Sequence, residues 1–152
     1  MTMIHRRKLL QKLDVERIRK AIEDAERETS GEIRVSVSRF FWGRVRPAAE
    51  RAFRRLGMIR TKDRNGILFF VVPSRRRFVV LGDEGIHAQV GQDFWDGIAA
   101  AMSADFKKGE FTDGLIRGVR KAAEGLAAHF PCDAATDVDE LPDDIDFGKN
   151  RK

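Results

Sequence analysis

The run Ile67-Leu68-Phe69-Phe70-Val71-Val72 carries no polar side chain at either parity. A strand sends alternate side chains to opposite faces of its sheet, so a run apolar at every position belongs where both faces are covered. Asn65-Gly66 before it and Pro73-Ser74-Arg75-Arg76 after it are turn sequences that bound it at strand length. Upstream, residues 32–38 alternate: Ile33, Val35 and Val37 face one way, and Arg34, Ser36 and Ser38 the other. Between the two, residues 47–58 set Ala49, Ala52, Phe53 and Leu56 at helical spacing behind Pro47. A strand, a helix and a strand imply a right-handed crossover between parallel strands. Residues 77–81 then return as a third, antiparallel strand of a hairpin.

Helical periodicity accounts for most of the rest. Residues 14–29 repeat Ile18, Ala21, Ile22 and Ala25, with Asp14 as N-cap and Gly31 where a C′ glycine belongs. Residues 94–107 repeat Trp95, Ile98, Ala99, Met102 and Phe106. Residues 112–129, capped by Thr112 and stopped by Pro131, repeat Leu115, Val119, Ala122 and Leu126. The order α-β-α-β-β-α-α predicts a three-layer α/β/α sandwich on a small mixed β-sheet, with residues 1–132 as one domain. A fourth strand is expected within residues 40–45.

The longest aliphatic or aromatic run is six residues, far below the ~20 of a membrane span. The first residues show no apolar signal-peptide core, and the single cysteine, Cys132, makes neither an internal disulfide nor a zinc site. A cytoplasmic location is the expectation. The net charge of +5 conceals a division. Residues 133–152 hold seven acids and three bases, a tail at −4, and the remainder stands at +9. Residues 39–77 alone hold twelve Lys or Arg against Glu50 and Asp63. The tail is a candidate internal anion: Leu141, Ile145 and Phe147 would dock it while its carboxylates lie on the arginine-rich surface.

Topology gathers a set of polar residues. The first two strands enter the sheet at one edge and the third leaves it there, so Glu32, Asp63, Asn65, Asp83 and Glu84 converge on a single rim. Carboxylates with an amide oxygen suit a hard divalent cation, Ca²⁺ or Mg²⁺. The same residues are also ordinary turn formers, and ligands of parallel sheets usually sit at the opposite, carboxyl, edge. Phosphate-loop, dinucleotide-binding and serine-elbow motifs are absent. Asp137-Val138-Asp139 resembles an aspartyl nucleophile pair but lacks a preceding hydrophobic strand. His5, His87 and His129 are far apart in sequence. No specific nucleic-acid motif accompanies the basic residues. Arg51, Arg54 and Arg55 line one helix face, and Phe40-Phe41-Trp42 cannot all be buried after a strand. Phe41 and Trp42 with these arginines are therefore candidates for binding a protein or other anionic partner.

Four segments carry a family resemblance: Thr29-Ser30-Gly31-Glu32-Ile33-Arg34-Val35, Arg64-Asn65-Gly66-Ile67-Leu68, Leu81-Gly82-Asp83-Glu84-Gly85-Ile86, and Phe106-Lys107-Lys108-Gly109 through Gly114-Leu115. In order and spacing they resemble the TPM domain family, over about residues 14–131. That domain is shared by a plant thylakoid-lumen phosphatase, a photosystem II repair protein and a nematode membrane modulator of acetylcholine receptors. Asp139-Glu140-Leu141-Pro142-Asp143-Asp144 is similar to the tail of a soluble bacterial subgroup. The resemblance implies an α/β/α sandwich, a divalent-cation site among loops at one sheet edge, and a possible acid phosphatase activity. By matching motif it points to Asn65 and Asp83, then to Asp63, Glu84 and Glu32. Many members carry an acid directly before the Asn-Gly, where this chain has Arg64.

Two functions follow as expectations. One is a non-catalytic cation-binding interaction module. The alternative is a metal-assisted phosphatase for phosphomonoesters, in which a cation on Asp63, Asn65 and Asp83 activates water and Arg64 holds the phosphate. Asp83 and Arg64 are then the catalytic candidates.

Overall fold

The alternating segment forms β1 (Glu32–Val37) and the apolar run forms β2 (Gly66–Val72). They pair in parallel from Glu32 opposite Gly66 to Val37 opposite Val71. The crossover between them is helix α2 (Val45–Arg55). β3 (Arg77–Gly82) returns antiparallel to β2 after a 3-10 turn at Pro73–Arg75. The computed structural model describes residues 13–132 and 145–148.

The helices divide unequally between the two faces. α1 (Val15–Glu26), α4 (Gln92–Lys107) and α5 (Phe111–His129) share one core with Ile33, Val35, Val37, Ile67, Phe69 and Val71. α2 covers the other face, packing Val45, Ala49, Ala52 and Phe53 against Leu68, Phe70 and Val72. The apolar parity of β2 therefore feeds two cores, and the three-layer α/β/α arrangement stands. α4 and α5 approach closely because Gly118 leaves room for Met102; a Cβ there would meet the Met102 sulfur at 2.6 Å. A four-residue helix, α3 (Glu84–His87), follows β3.

Several boundaries differ from the periodicity. Asp14 caps α1 as expected, accepting the Arg17 N–H at 3.1 Å. The helix nevertheless ends at Glu26, because Thr29 forms a β-bridge to Pro131 and the Ser30 N–H bonds the Phe130 carbonyl at 2.9 Å. Gly31 is thus no helix cap; it sits where Leu126 and the Asn65 carbonyl crowd it. Thr112 lies inside α5, whose N-cap is Glu110, and its hydroxyl accepts the Asp14 N–H at 2.9 Å. That bond ties the start of α1 to the start of α5.

The fourth strand is not at residues 40–45. Residues 40–44 are irregular, and β4 is Ile145–Asp146, parallel to β1 with Val35 opposite Ile145 and Ser36 opposite Asp146. The strand order is β3-β2-β1-β4. Ile145 and Phe147 pack against the larger core, so part of the acidic tail belongs to the sheet. Leu141, His5 and Asp137-Val138-Asp139 lie outside the described residues.

Candidate functional site

The amino edge of the sheet assembles as topology requires. Glu32 is in register with Gly66, and Ile67 with Gly82, so the segments before β1 and β2 and the segment after β3 meet at one rim. The loop into β2 is a tight turn. The Arg64 N–H bonds the Thr61 carbonyl at 3.2 Å, the Asn65 N–H bonds the Thr61 hydroxyl at 3.1 Å, and Arg64 adopts a left-handed φ of 51°. Gly85 docks on this turn, its N–H donating to the Arg64 carbonyl at 2.9 Å. A Cβ on Gly85 would overlap the carbonyl oxygens of Asp63 and Arg64, so only glycine permits the contact.

The side chains on the rim form a clasp. Asp83 caps α3 by accepting the Glu84 N–H at 2.8 Å. Its carboxylate also takes a bidentate pair from Arg64, Nε to Oδ2 at 2.7 Å and Nη2 to Oδ1 at 2.9 Å. The third guanidinium nitrogen lies 3.2 Å from Glu84 Oε1. Donating to the Asp83 carboxylate, with the charges of Asp83 and Glu84, raises the Arg64 pKa above its ordinary value despite the opposing effect of desolvation. Arg64 thus bridges two carboxylates as a fixed organic cation.

The other rim residues are placed differently. Asn65 is buried; its Nδ2 donates to Ser30 Oγ at 3.4 Å, and its Oδ1 has no hydrogen-bond partner. An orphaned buried acceptor costs free energy unless something fills it. The Asp63 side chain is exposed. Glu32 is buried, 3.8 Å from Arg34, whose Nη1 pairs with Glu26 at 2.7 Å. The structure thus joins Arg64, Asp83 and Glu84 by contact, sets Asn65 beside them along the chain, and keeps Glu32 in a separate buried pair. Among the described residues no three His, Cys, Asp or Glu side chains gather as a metal-holding group. The oxygen donors match a hard cation in type, and a cation bound to Asp83 and Glu84 would have to displace Arg64.

The carboxyl edge holds the aromatic segment. Phe41 packs into the smaller core, while Phe40 and Trp42 stay 46% and 85% exposed with their rings edge-to-face at 4.8 Å. Arg75 fixes this loop from beneath. It donates to the carbonyls of Phe41 at 3.1 Å and Gly43 at 2.8 Å, and its guanidinium lies 5.3 Å from the Phe41 ring centre. Arg51, Arg54 and Arg55 lie beyond the first turn of α2, the helix whose start follows Trp42 in the chain. Arg54 and Arg55 sit at the far end of that helix, about 13 Å along its axis from Arg46. Arg44 and Arg46, at its start, are the exposed neighbours of Trp42.

Arg55 has a partner that helical spacing does not reveal. Asp146, 4% exposed, receives Arg55 through both terminal guanidinium nitrogens at 3.2 and 2.8 Å, the Ser36 hydroxyl at 2.8 Å and the Gly148 N–H at 3.2 Å. Burial alone would push its carboxyl up. The bonds from Arg55 and Ser36, with the Arg55 charge and the Gly148 amide, outweigh burial and hold it below the usual carboxylate range. The signal in the sequence was a pair of apolar residues, Ile145 and Phe147, flanking an acid within an otherwise polar run. A separate cavity of about 530 Å³ between α4 and α5 is lined by Asp105, Arg117, Lys121 and Glu124, and by none of the rim residues.

The family model described as the TPM domain matches residues 4–125. The BA42 protein of the psychrophilic bacterium Bizionia argentinensis, solved by NMR, is 42% identical. Its match covers 90% of this chain and 95% of that one, with a TM-score of 0.82. The N-terminal domain of the cg2496 protein of Corynebacterium glutamicum is 13% identical, covering 78% of this chain and 75% of that one, with a TM-score of 0.60. An N-terminal domain from P. gingivalis is 18% identical over 73% and 72% of the two chains, with a TM-score of 0.59. These last two share the fold. No curated protein matches the chain. Among the described residues no helix is long and apolar enough to cross a membrane.

Proposed function

The chain belongs to the TPM domain family, and from that premise we propose that it works as a non-catalytic interaction module whose amino-edge rim takes up a divalent cation. The observation that carries this reading is the Arg64–Asp83–Glu84 clasp. It commits the two catalytic candidates to each other. Asp83 has both oxygens on Arg64, and Arg64 has no nitrogen directed elsewhere that could clamp a phosphate. A phosphatase would need the pair opened before any substrate bound.

A cation at the rim would take the place of the clasp's guanidinium. That guanidinium lies between carboxylates, where Ca²⁺ or Mg²⁺ would find oxygen donors from Asp83 and Glu84, with Asn65 and the exposed acid Asp63 close by in the chain. Glu32, engaged by Arg34, would act from behind the rim. The interaction surface is the opposite, carboxyl edge, where Phe40 and Trp42 stand exposed beside Arg44 and Arg46.

Calorimetric titration with Ca²⁺, Mg²⁺ and Mn²⁺, run beside a generic phosphomonoester hydrolysis assay, tests both parts. The expected result is cation binding lost in Asp83→Ala and no turnover above background. Heat absent with all three cations removes the cation reading. Cation-dependent hydrolysis abolished by Asp83→Ala would replace the module by the phosphatase.

A further inference from the structure

Phe40, Trp42 and Ile59 are the exposed large hydrophobic residues among those described. Two of the three stand together at the carboxyl edge. Water gains nothing from a Trp that is 85% exposed, and the fold gains little packing from it. Yet its loop is built with care. Phe41 anchors it in the smaller core, Arg75 clamps the carbonyls on both sides of Trp42, and Gly43 supplies a φ of 133° that other residues avoid. The two rings are therefore held out on a stiff base, which lowers the entropy lost when they are covered.

The segment that carries the tip is positive. Residues 39–49 contain Arg39, Arg44 and Arg46, all exposed, and no acid. Glu50 is the first acid downstream, 4.0 Å from Arg46. The Ser38 N–H bonds the Val71 carbonyl at 2.8 Å, so the end of β2 lies alongside. Arg76, in the turn beyond β2, and Arg77, at the start of β3, lie at the same edge, both exposed. Arg76 donates to the Lys107 carbonyl at the end of α4.

We propose that this edge docks on an anionic lipid bilayer, with Phe40 and Trp42 entering the headgroup layer and Arg39, Arg44 and Arg46 meeting its phosphates. The proposal rests on the interaction-module reading and names its partner. A ring 85% exposed is gripped by no protein wall, so the occupant must supply the contacts on all sides. A fluid interface does this for a projecting tip, whereas a folded partner needs a matching hollow and a peptide needs a groove. Trp is the side chain favoured at the membrane–water interface, and clustered Arg adds attraction to an anionic leaflet. One aromatic pair with a few cations gives reversible attachment rather than anchoring.

The test is co-sedimentation of the full chain with vesicles of phosphatidylcholine alone or mixed with phosphatidylglycerol, at low and high salt. The chain is expected to bind the mixed vesicles, to lose binding at high salt, and to leave pure phosphatidylcholine unbound. Trp42→Ala should weaken partitioning by about tenfold, since the side chain supplies most of the inserted apolar area. Arg44→Glu with Arg46→Glu should abolish it, and Arg54→Glu, at the far end of α2, should leave it unchanged. Absence of binding to mixed vesicles, or binding indifferent to Trp42→Ala, overturns the proposal. A poly-glutamate peptide and a single-stranded oligonucleotide serve as parallel probes. If one of them binds at the tip and vesicles do not, the module reading survives and the bilayer is refuted. If no probe responds to Trp42 or to Arg44 and Arg46, both readings fall.

Discussion

Replacing Asp146 by Ala should detach the tail from the sheet. The carboxylate is 4% exposed and receives Arg55, Ser36 and Gly148. Hydrogen bonds to a charged group contribute about 1.5–3 kcal/mol each. The Arg55 share must be discounted, because that side chain is 31% exposed and returns to water when released. Ser36 is 1% exposed and would lose an acceptor inside the protein. The net loss is about 2–3 kcal/mol. It has a ceiling: once it exceeds the free energy that docks Ile145 and Phe147, the tail lets go while the rest stays folded. The assay is equilibrium urea unfolding followed by tryptophan fluorescence, in which Trp95, packed over Gly82, reports the core. Hydrogen exchange at Ile145–Asp146 reports the tail separately. The pH dependence gives a second reading. The folded Asp146 carboxyl titrates below its unfolded value of about 3.9, so its stabilisation is complete above that pH and is lost as pH falls through the folded value. The gap between the wild type and Asp146→Ala should therefore shrink in acid. Equal midpoints at neutral pH together with unchanged exchange at β4, or a gap that persists undiminished in acid, would refute the reasoning.

Arg64→Gln removes the guanidinium that bridges Asp83 and Glu84 and should raise divalent-cation affinity at the rim, measured by calorimetry; lower or unchanged affinity would show that the clasp and the cation do not compete. Gly85→Ala drives a methyl into the backbone carbonyls of Asp63 and Arg64, and with rigid backbone as the obstacle it should cost about 2–4 kcal/mol in urea unfolding, against about zero if the loop shifts freely. Asp14→Ala removes the α1 cap and should cost about 1 kcal/mol by the same measurement.

The parallel crossover was legible because β1 and β2 each carry their own period, alternating in one case and uniformly apolar in the other. The convergence of Asn65, Asp83 and Glu84 followed from strand direction alone. What the sequence withheld was tertiary. The Arg64–Asp83 pair joins residues whose roles looked independent, one a phosphate binder and the other a metal ligand, and no spacing rule shows that they consume each other. Thr112 reads as a cap because a hydroxyl before an apolar repeat usually is one; its actual partner, the Asp14 N–H, lies 98 residues away. The end of α1 is hidden for a like reason, since Thr29 and Ser30 bond the chain beyond α5. β4 has two residues, too few for any period, and it sits in an acidic run that composition assigns to solvent. Residues 40–45, where a fourth strand was expected, are an irregular loop that leads into α2, with Phe40 and Trp42 exposed.

The pairing of β4 with β1 also has a history in time. Ser36 and Asp146 are 110 residues apart, so during synthesis β1 waits with its outer backbone edge open while most of the chain is made. An open edge invites pairing with other chains, and here a short strand locked by one buried carboxylate covers it at Val35 and Ser36. Closing a loop of that length costs entropy before the contact rewards it, so the contact is expected to form late in folding. Weakening it should leave the folding rate almost unchanged and speed unfolding instead. The flank beside β1 is then where the molecule first comes apart, and Asp146 sets how long it stays closed.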